Sequence, residues 1–243
     1  MKESNIVLCA PVRTAIGTYG GALKGMPAPQ LGATVIAETL RRSGLTPEDV
    51  QNVILGQVIQ AGAKMNPARQ AAIHAGLPVS VPAMTVNRVC GSGAQAVISA
   101  AQEIMLGHLD CAIAGGMENM DLAPYLDLRG RWGHRMGNAE IYDSMLHDGL
   151  NDAFSDQHSG WHTEDLVSRF GISREDQDRW AARPRRQDAS TPRSCRSKSN
   201  PARARKPSGA MSTIAPTPLL RISANSGRPS ARTAPSPPVT PLG

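Results

Sequence analysis

Short apolar runs of strand length alternate with segments of helical period between residues 6 and 116, and this alternation confines the chain to a layered α/β arrangement. Residues 6–8 read as a buried strand leading into the loop APVRTAIG. Leu31, Val35, Ile36 and Leu40 line one helical face that Gly44 terminates, and residues 53–55 give the next strand. Between them, Thr46-Pro47-Glu48 carries a helix-start signal. Asn66 followed by Pro67 is a cap with a first-turn proline, and Gly76 closes that helix. Residues 83–86 and 111–114 read as strands around a helix whose apolar positions are Ala94, Val97, Ile98, Ala101, Ile104 and Met105. Ser173 with Asp176 is a capping pair for one more helix. Aromatics make up only 3% of the chain while Ala, Gly and Val abound, a profile that lets helices sit closely on a sheet.

Near residue 183 the local signals stop agreeing. The stretch PRRQDASTPRSCRSKSNPARARKPSGA has no apolar period, and its composition buries too little surface to offset ordering entropy. From Arg183 to Gly243 there are 12 Lys/Arg, one Asp, 11 prolines and no aromatic; residues 1–182 hold 14 basic and 19 acidic side chains. The formal +6 of the whole therefore hides an acidic body. A non-catalytic basic nucleic-acid-binding protein is the reading this charge invites. The acidic body and the lack of aromatics for base stacking argue against it. No run approaches a membrane span and the N-terminus lacks a secretory pattern, so the expected location is cytoplasmic with no membrane partner. Cys9, Cys90, Cys111 and Cys195 form no CxxC pair, which suits free thiols and no metal site.

The densest chemical signal is NRVCGSGAQAV, residues 87–97. A cysteine here stands between a strand and the start of an amphipathic helix, where unpaired backbone N–H groups and the positive dipole end favour a thiolate. Gly91 and Gly93 clear side chains from around the sulfur, so a thioester has access to it. Cys90 is the candidate nucleophile; Cys9 and Cys111, in apolar strands, read as packing residues. Glu118 and Asn119 after the Gly115-Gly116 turn read as fixing the backbone rather than transferring protons. His74, His108, His134, His147 and His162 read as solvated or structural. Met65, Ile73 and Leu77 read as core or subunit interface.

NRVCGSGAQAVISAAQEI followed by GGMENM resembles the acyl-enzyme signature of the thiolase family. APVRTAIGTYGGALK, GQVIQAGAKMNPARQAAIHAGLP and APYLDLRGRWGHRMGNAEIYDSMLHDGLNDAF are similar to thiolase segments in the same order, so the likeness covers residues 4–182. It implies an αβαβα layered α/β fold of which this chain holds the N-terminal half, with the C-terminal half absent. Residues 1–119 are then the core domain, 120–182 a partial loop domain over CoA, and 183–243 a disordered tail. It implies that Cys90 accepts an acetyl group from acetyl-CoA, which a second acetyl-CoA carbanion attacks to give acetoacetyl-CoA and CoA. No cofactor is implied beyond coenzyme A thioesters as substrates. His158 falls on a CoA-contacting histidine, although HSG stands here where the family commonly has HMG; Leu150 falls on a pocket position. Intact members are homotetramers.

RWGHRMGNAEIYDSMLHDGL favours the biosynthetic acetyl-CoA acetyltransferase branch, whose product feeds polyhydroxybutyrate synthesis, over the degradative 3-ketoacyl-CoA thiolases. GGMENM favours thiolases over ketosynthases. The family's NEAFA-type asparagine, GHPxGxSG histidine and CxGGGxG cysteine occur nowhere in these 243 residues, so the chain alone is expected to be inactive. Read one base out of frame with permitted synonymous codons, residues 189–200 and 210–243 become similar to the middle of a thiolase. A frameshift near Arg183 is therefore expected, with the tail unpacked.

Overall fold

The computed structural model describes residues 6–182 together with the backbone of Leu219–Ala224. A five-stranded sheet in the order β1-β7-β4-β2-β3 forms its centre. The strands are β1 (Ile6–Val12), β2 (Asn52–Gly56), β3 (Ala83–Val86), β4 (Cys111–Gly116) and β7 (Leu219–Ala224). Strand β2 runs parallel to both β3 and β4, while β7 is antiparallel to β1 and β4. Helices α1 (Ala28–Ser43) and α2 (Pro67–His74) cover one face and α3 (Ser92–Met105) the other. The described residues thus form α-β-α layers, in keeping with the α/β expectation.

Alternation along the strands sorts the core into two halves, because successive side chains point to opposite faces. Val53, Leu55 and Ile113 join Val35, Ile36, Leu40, Ala68, Ala71 and Ala72 under α1 and α2. Ile54, Ala112 and Ala114 face Ala96, Ala100 and Ile104 of α3. Both faces are covered, so β4 is apolar throughout and β2 is apolar after Asn52. The helix ends follow their sequence signals. Gly44 adopts φ 68° and its N–H reaches the Leu40 carbonyl; the Asn66 side chain accepts the Arg69 N–H, and Ser173 accepts that of Asp176.

Four details differ from the sequence reading. The helix start at Thr46 yields only a 3-10 turn, Pro47–Asp49, since Val50 turns at once into extended backbone. Residues 6–8 do form a strand, but Val7 and Leu8 are exposed because β1 is the sheet's edge. Of Met65, Ile73 and Leu77 only Leu77 is core; Met65, in the loop before α2, is exposed. The face of α3 is rotated from the one its larger apolar residues suggest. Gly93, Ala96, Ala100 and Ile104 meet the sheet while Ile98 and Met105 are exposed. At its N-terminal end, around Gly93, the helix lies too close to the strands for larger side chains, and only at Ile104 does the line admit one.

The expectation of an unpacked tail is corrected at six positions. Leu219–Ala224 forms β7, paired on both sides. Strands β1 and β4 have no direct ladder to one another, and an extended segment with Leu219, Leu220 and Ile222 supplies both with partners. The rest of the tail, including Cys195, lies outside the described residues, as do residues 1–5.

Residues 120–182 contain a two-stranded ladder of β5 (Tyr125–Leu126) with β6 (Tyr142–Asp143), then α4 (Ser144–His147), α5 (Ser159–Arg169) and α6 (Arg174–Ala181). Neither α5 nor α6 buries a residue, and Trp132, Met136, Phe154, Phe170 and Trp180 are all exposed. No helix among the described residues is long and apolar enough to cross a membrane.

The rotated face of α3 makes a testable contrast. Ile54→Ala, fully buried between β2 and α3, should lower unfolding free energy by about 2–5 kcal/mol. Ile98→Ala, on the same helix layer but outward, should cost less than about 1 kcal/mol. Urea titration of both variants checks it; similar losses would put Ile98 in the core.

Candidate active site

The start of α3 rests directly on the sheet. A Cβ built on Gly56 would lie 2.4 Å from the Ser92 carbonyl carbon and 2.6 Å from the Gly93 nitrogen. One on Gly116, the register partner of Gly56, would lie 3.3 Å from the Gly93 Cα. Three glycines therefore let backbone meet backbone, and the turn entering the helix is held over the C-terminal ends of β2 and β4.

Cys90 sits in that turn, exposed, just before Gly91 at the N-cap. The preceding Val89 has φ +48°, a left-handed conformation that a β-branched residue adopts only when its surroundings enforce it, at a cost of about 1–3 kcal/mol. The enforcing bonds are local. Val89 N–H donates to Asn87 Oδ1 (2.9 Å), and the Val89 carbonyl accepts from the Ser92 hydroxyl (2.6 Å) and the Ser92 N–H (3.0 Å). Ser92 Oγ also accepts the Arg88 N–H (2.8 Å), and the Arg88 guanidinium donates to Gln95 Oε1 (2.6 Å). Every polar residue of NRVCGSGAQ apart from the cysteine is thus spent on the turn that presents the sulfur.

The cysteine opens onto a cleft lined by Gly56, Gln57, Val58, Gly93, Met117, Glu118, Met120 and Gly149 among others. Two wall residues carry buried acceptor atoms without a hydrogen-bond donor, Gln57 Oε1 and Glu118 Oε1. Gln57 is 3% exposed and its Nε2 donates to the Ile59 carbonyl (2.9 Å). Glu118 Oε2 accepts the Val58 N–H (2.6 Å). Burial pushes the Glu118 carboxyl up to about 7, opposed by the N–H groups of Val58 and Ile59.

Glu118 and Asn119 both fix backbone, as expected. Asn119 Nδ2 donates to the carbonyls of Leu23 and Met26, and its Oδ1 accepts the Asp121 N–H. Sequence reasoning missed that Glu118 also lines the cleft onto which Cys90 opens, and it passed over Gln57. The available signal was a polar side chain just past an apolar strand end, Gln57 directly after Gly56 and Glu118 one residue beyond Met117.

His158 and Leu150 are brought together, but not into the Cys90 cleft. The Ser159 N–H donates to the Leu150 carbonyl (2.8 Å), and His158 caps α5 by accepting the Gly160 N–H at Nδ1 (2.9 Å). Of this segment it is Gly149 that lines the cleft. The other five histidines lie elsewhere: His74 at the end of α2, His108 on Glu103, His134 on Asp127, His147 on Asp148 and His162 on Ser155, all at the surface.

Residues 6–199 match the family model described as the thiolase N-terminal domain. The chain belongs to the thiolase family. An acetyl-CoA acetyltransferase of Pseudomonas aeruginosa is 53% identical over 178 residues, which is 73% of this chain and 45% of the relative. Proteins of the same name from Chromobacterium violaceum and Cupriavidus necator are 53% and 50% identical, over 71% and 73% of this chain and 44% and 45% of their own length. This thiolase chain therefore spans about half the length of the curated relatives it matches.

The glycine seat of this thiolase helix can be tested directly. Gly56→Ala should displace the first turn of α3 and slow alkylation of Cys90 by at least about tenfold, since a Cβ at such distances cannot be accommodated without backbone movement. Peptide mapping after timed iodoacetamide treatment measures it; an unchanged rate would show that the turn is positioned by other contacts.

Proposed function

We propose that this chain carries the acyl-accepting half of an acetyl-CoA C-acetyltransferase. The observation that supports it most is the placing of Cys90: an exposed sulfur at a helix start, presented by a strained residue over a cleft floored by glycines. In this reading the Cys90 thiolate attacks the thioester carbonyl of acetyl-CoA, and the tetrahedral species collapses with expulsion of CoA thiolate to leave acetyl-Cys90. Attack by the α-carbon of a second acetyl-CoA would then release acetoacetyl-CoA and regenerate the thiolate. The substrates are coenzyme A thioesters and no further cofactor is invoked. His158 and Leu150 are proposed to meet the pantetheine arm outside the cleft itself. Names of the relatives support the acetyl-transferring branch over degradative 3-ketoacyl-CoA thiolases. A supply of acetoacetyl-CoA to polyhydroxybutyrate synthesis in the cytoplasm is the role we infer for the intact enzyme.

The condensation step needs a base and an α-carbon acid, and the family motifs for both are missing from residues 1–243. We therefore infer that the chain is acylated without turning over. The exposed apolar residues of 120–182 and the outer side of α3 suit a surface covered by further chain or by other subunits, as in a tetramer. Incubation with radiolabelled acetyl-CoA should place label on the peptide containing Cys90, and Cys90→Ser should lose it. Label on another cysteine, or none, would remove the proposal.

A frameshift near Arg183 is proposed as the origin of the basic, proline-rich segment. The change in composition there supports it, as does the thiolase-like sequence of the alternative frame. Nucleotide sequencing through codon 183 is expected to show one base gained or lost relative to a full-length reading frame. A gene that reads the printed protein without interruption would refute this origin.

A further inference from the structure

Glu118 stands at one end of a continuous hydrogen-bond path to the nucleophile. Its Oε2 accepts the Val58 N–H (2.6 Å); the Val58 carbonyl accepts Asn87 Nδ2 (3.2 Å); Asn87 Oδ1 accepts the N–H of Val89 (2.9 Å), the residue before Cys90. Val58, Val89, Cys90 and Glu118 all border the same cleft. We propose that Glu118 is a positioning residue for Cys90, acting through Val58 and Asn87, and that it holds the cysteine reactive only while its carboxyl is neutral. The inference rests on the reading of Cys90 as the nucleophile.

Three observations carry it. Among the described residues Glu118 has no cation partner. Its Oε1 is buried without a donor, which a carboxylate tolerates poorly and a neutral acid tolerates well. Its Oε2 faces a backbone N–H, so the proton of the neutral form resides on Oε1, away from the path to Cys90. Among the described residues, the other ionisable side chains bordering a cleft with Glu118 are Arg13, Cys90 and Asp121, and the neighbouring turn carries Arg88. Arg13 donates to the Thr14 carbonyl, Arg88 to Gln95, and Asp121 accepts the Gly20 N–H. Among the described residues none of these side chains pairs with Glu118, and only the N–H groups of Val58 and Ile59 favour its charged form. The raised Glu118 value of about 7 agrees with this geometry. A group raised in this way is neutral below the transition and charged above it. Above it a carboxylate shares a partly desiccated wall with the attacking sulfur and opposes negative charge there.

The test compares the full chain with Glu118→Gln, which keeps an oxygen for the Val58 N–H but cannot ionise. Alkylation of Cys90 by iodoacetamide is timed from pH 5.5 to 8.5 by peptide mass spectrometry. Below pH 6 the two rates should agree within about twofold, and above pH 8 the Gln variant should react about tenfold faster, as expected for one uncompensated charge nearby. Asn87→Ala, which cuts the path midway, should slow alkylation severalfold at every pH. A Gln-to-wild-type ratio that stays constant with pH overturns the proposal, and so does an Asn87→Ala rate equal to wild type. The readout needs no coenzyme A, so a chain that alkylates as described but takes no acetyl group would sink the acyltransfer reading alone.

Discussion

Backbone-to-backbone contact between the first turn of α3 and the ends of β2 and β4 is the constraint on which the site depends. At Gly56 no side chain larger than hydrogen fits beneath Ser92 and Gly93, and Gly116 faces Gly93 from the neighbouring strand. Because the helix is seated this low, its sheet-facing line must be built from Gly93, Ala96 and Ala100, and its larger apolar residues turn outward. The same seating brings Cys90 over the cleft whose floor the two strands provide. Core composition and the position of Cys90 are therefore two results of one steric fact.

The turn at Cys90 shows how local strain is held by short-range polar contacts. Val89 would not remain in the left-handed region by its own preference. Asn87, Arg88, Ser92 and Gln95 each spend a side chain on that geometry, and Ser92, 4% exposed, does so with both its donor and its acceptor. Outside this loop, Val58 and Glu118 tie it to the neighbouring strand ends. A sulfur presented in this way has little further freedom to lose.

Much of this was legible in the residues. Strand alternation located β2, β3 and β4; capping at Asn66, Gly44 and Ser173 set three helix ends; and the glycines around Cys90 marked the turn that opens onto the cleft. Periodicity failed at α3 because hydrophobicity ranks Ile98 and Met105 above Ala96 and Ala100, whereas the available space ranks them in reverse. It also failed at Glu118 and Gln57, whose significance is that each leaves one buried oxygen unpaired. Pairing across the fold is not written in any local stretch. Nor was the strand Leu219–Ala224 foreseeable, since its partners lie far away in the chain and the composition around it argues for no structure.

That strand has a temporal consequence. Strands β2, β3 and β4 with α1, α2 and α3 are all contained in residues 28–116, so their contacts form among near neighbours while the chain emerges from the ribosome. Strand β1 is made first but finds its ladder partner only when residues 219–224 arrive. Among the described strands β1 therefore has no ladder partner until residues 219–224 are made, and the gap between β1 and β4 is bridged by a segment synthesised long after both.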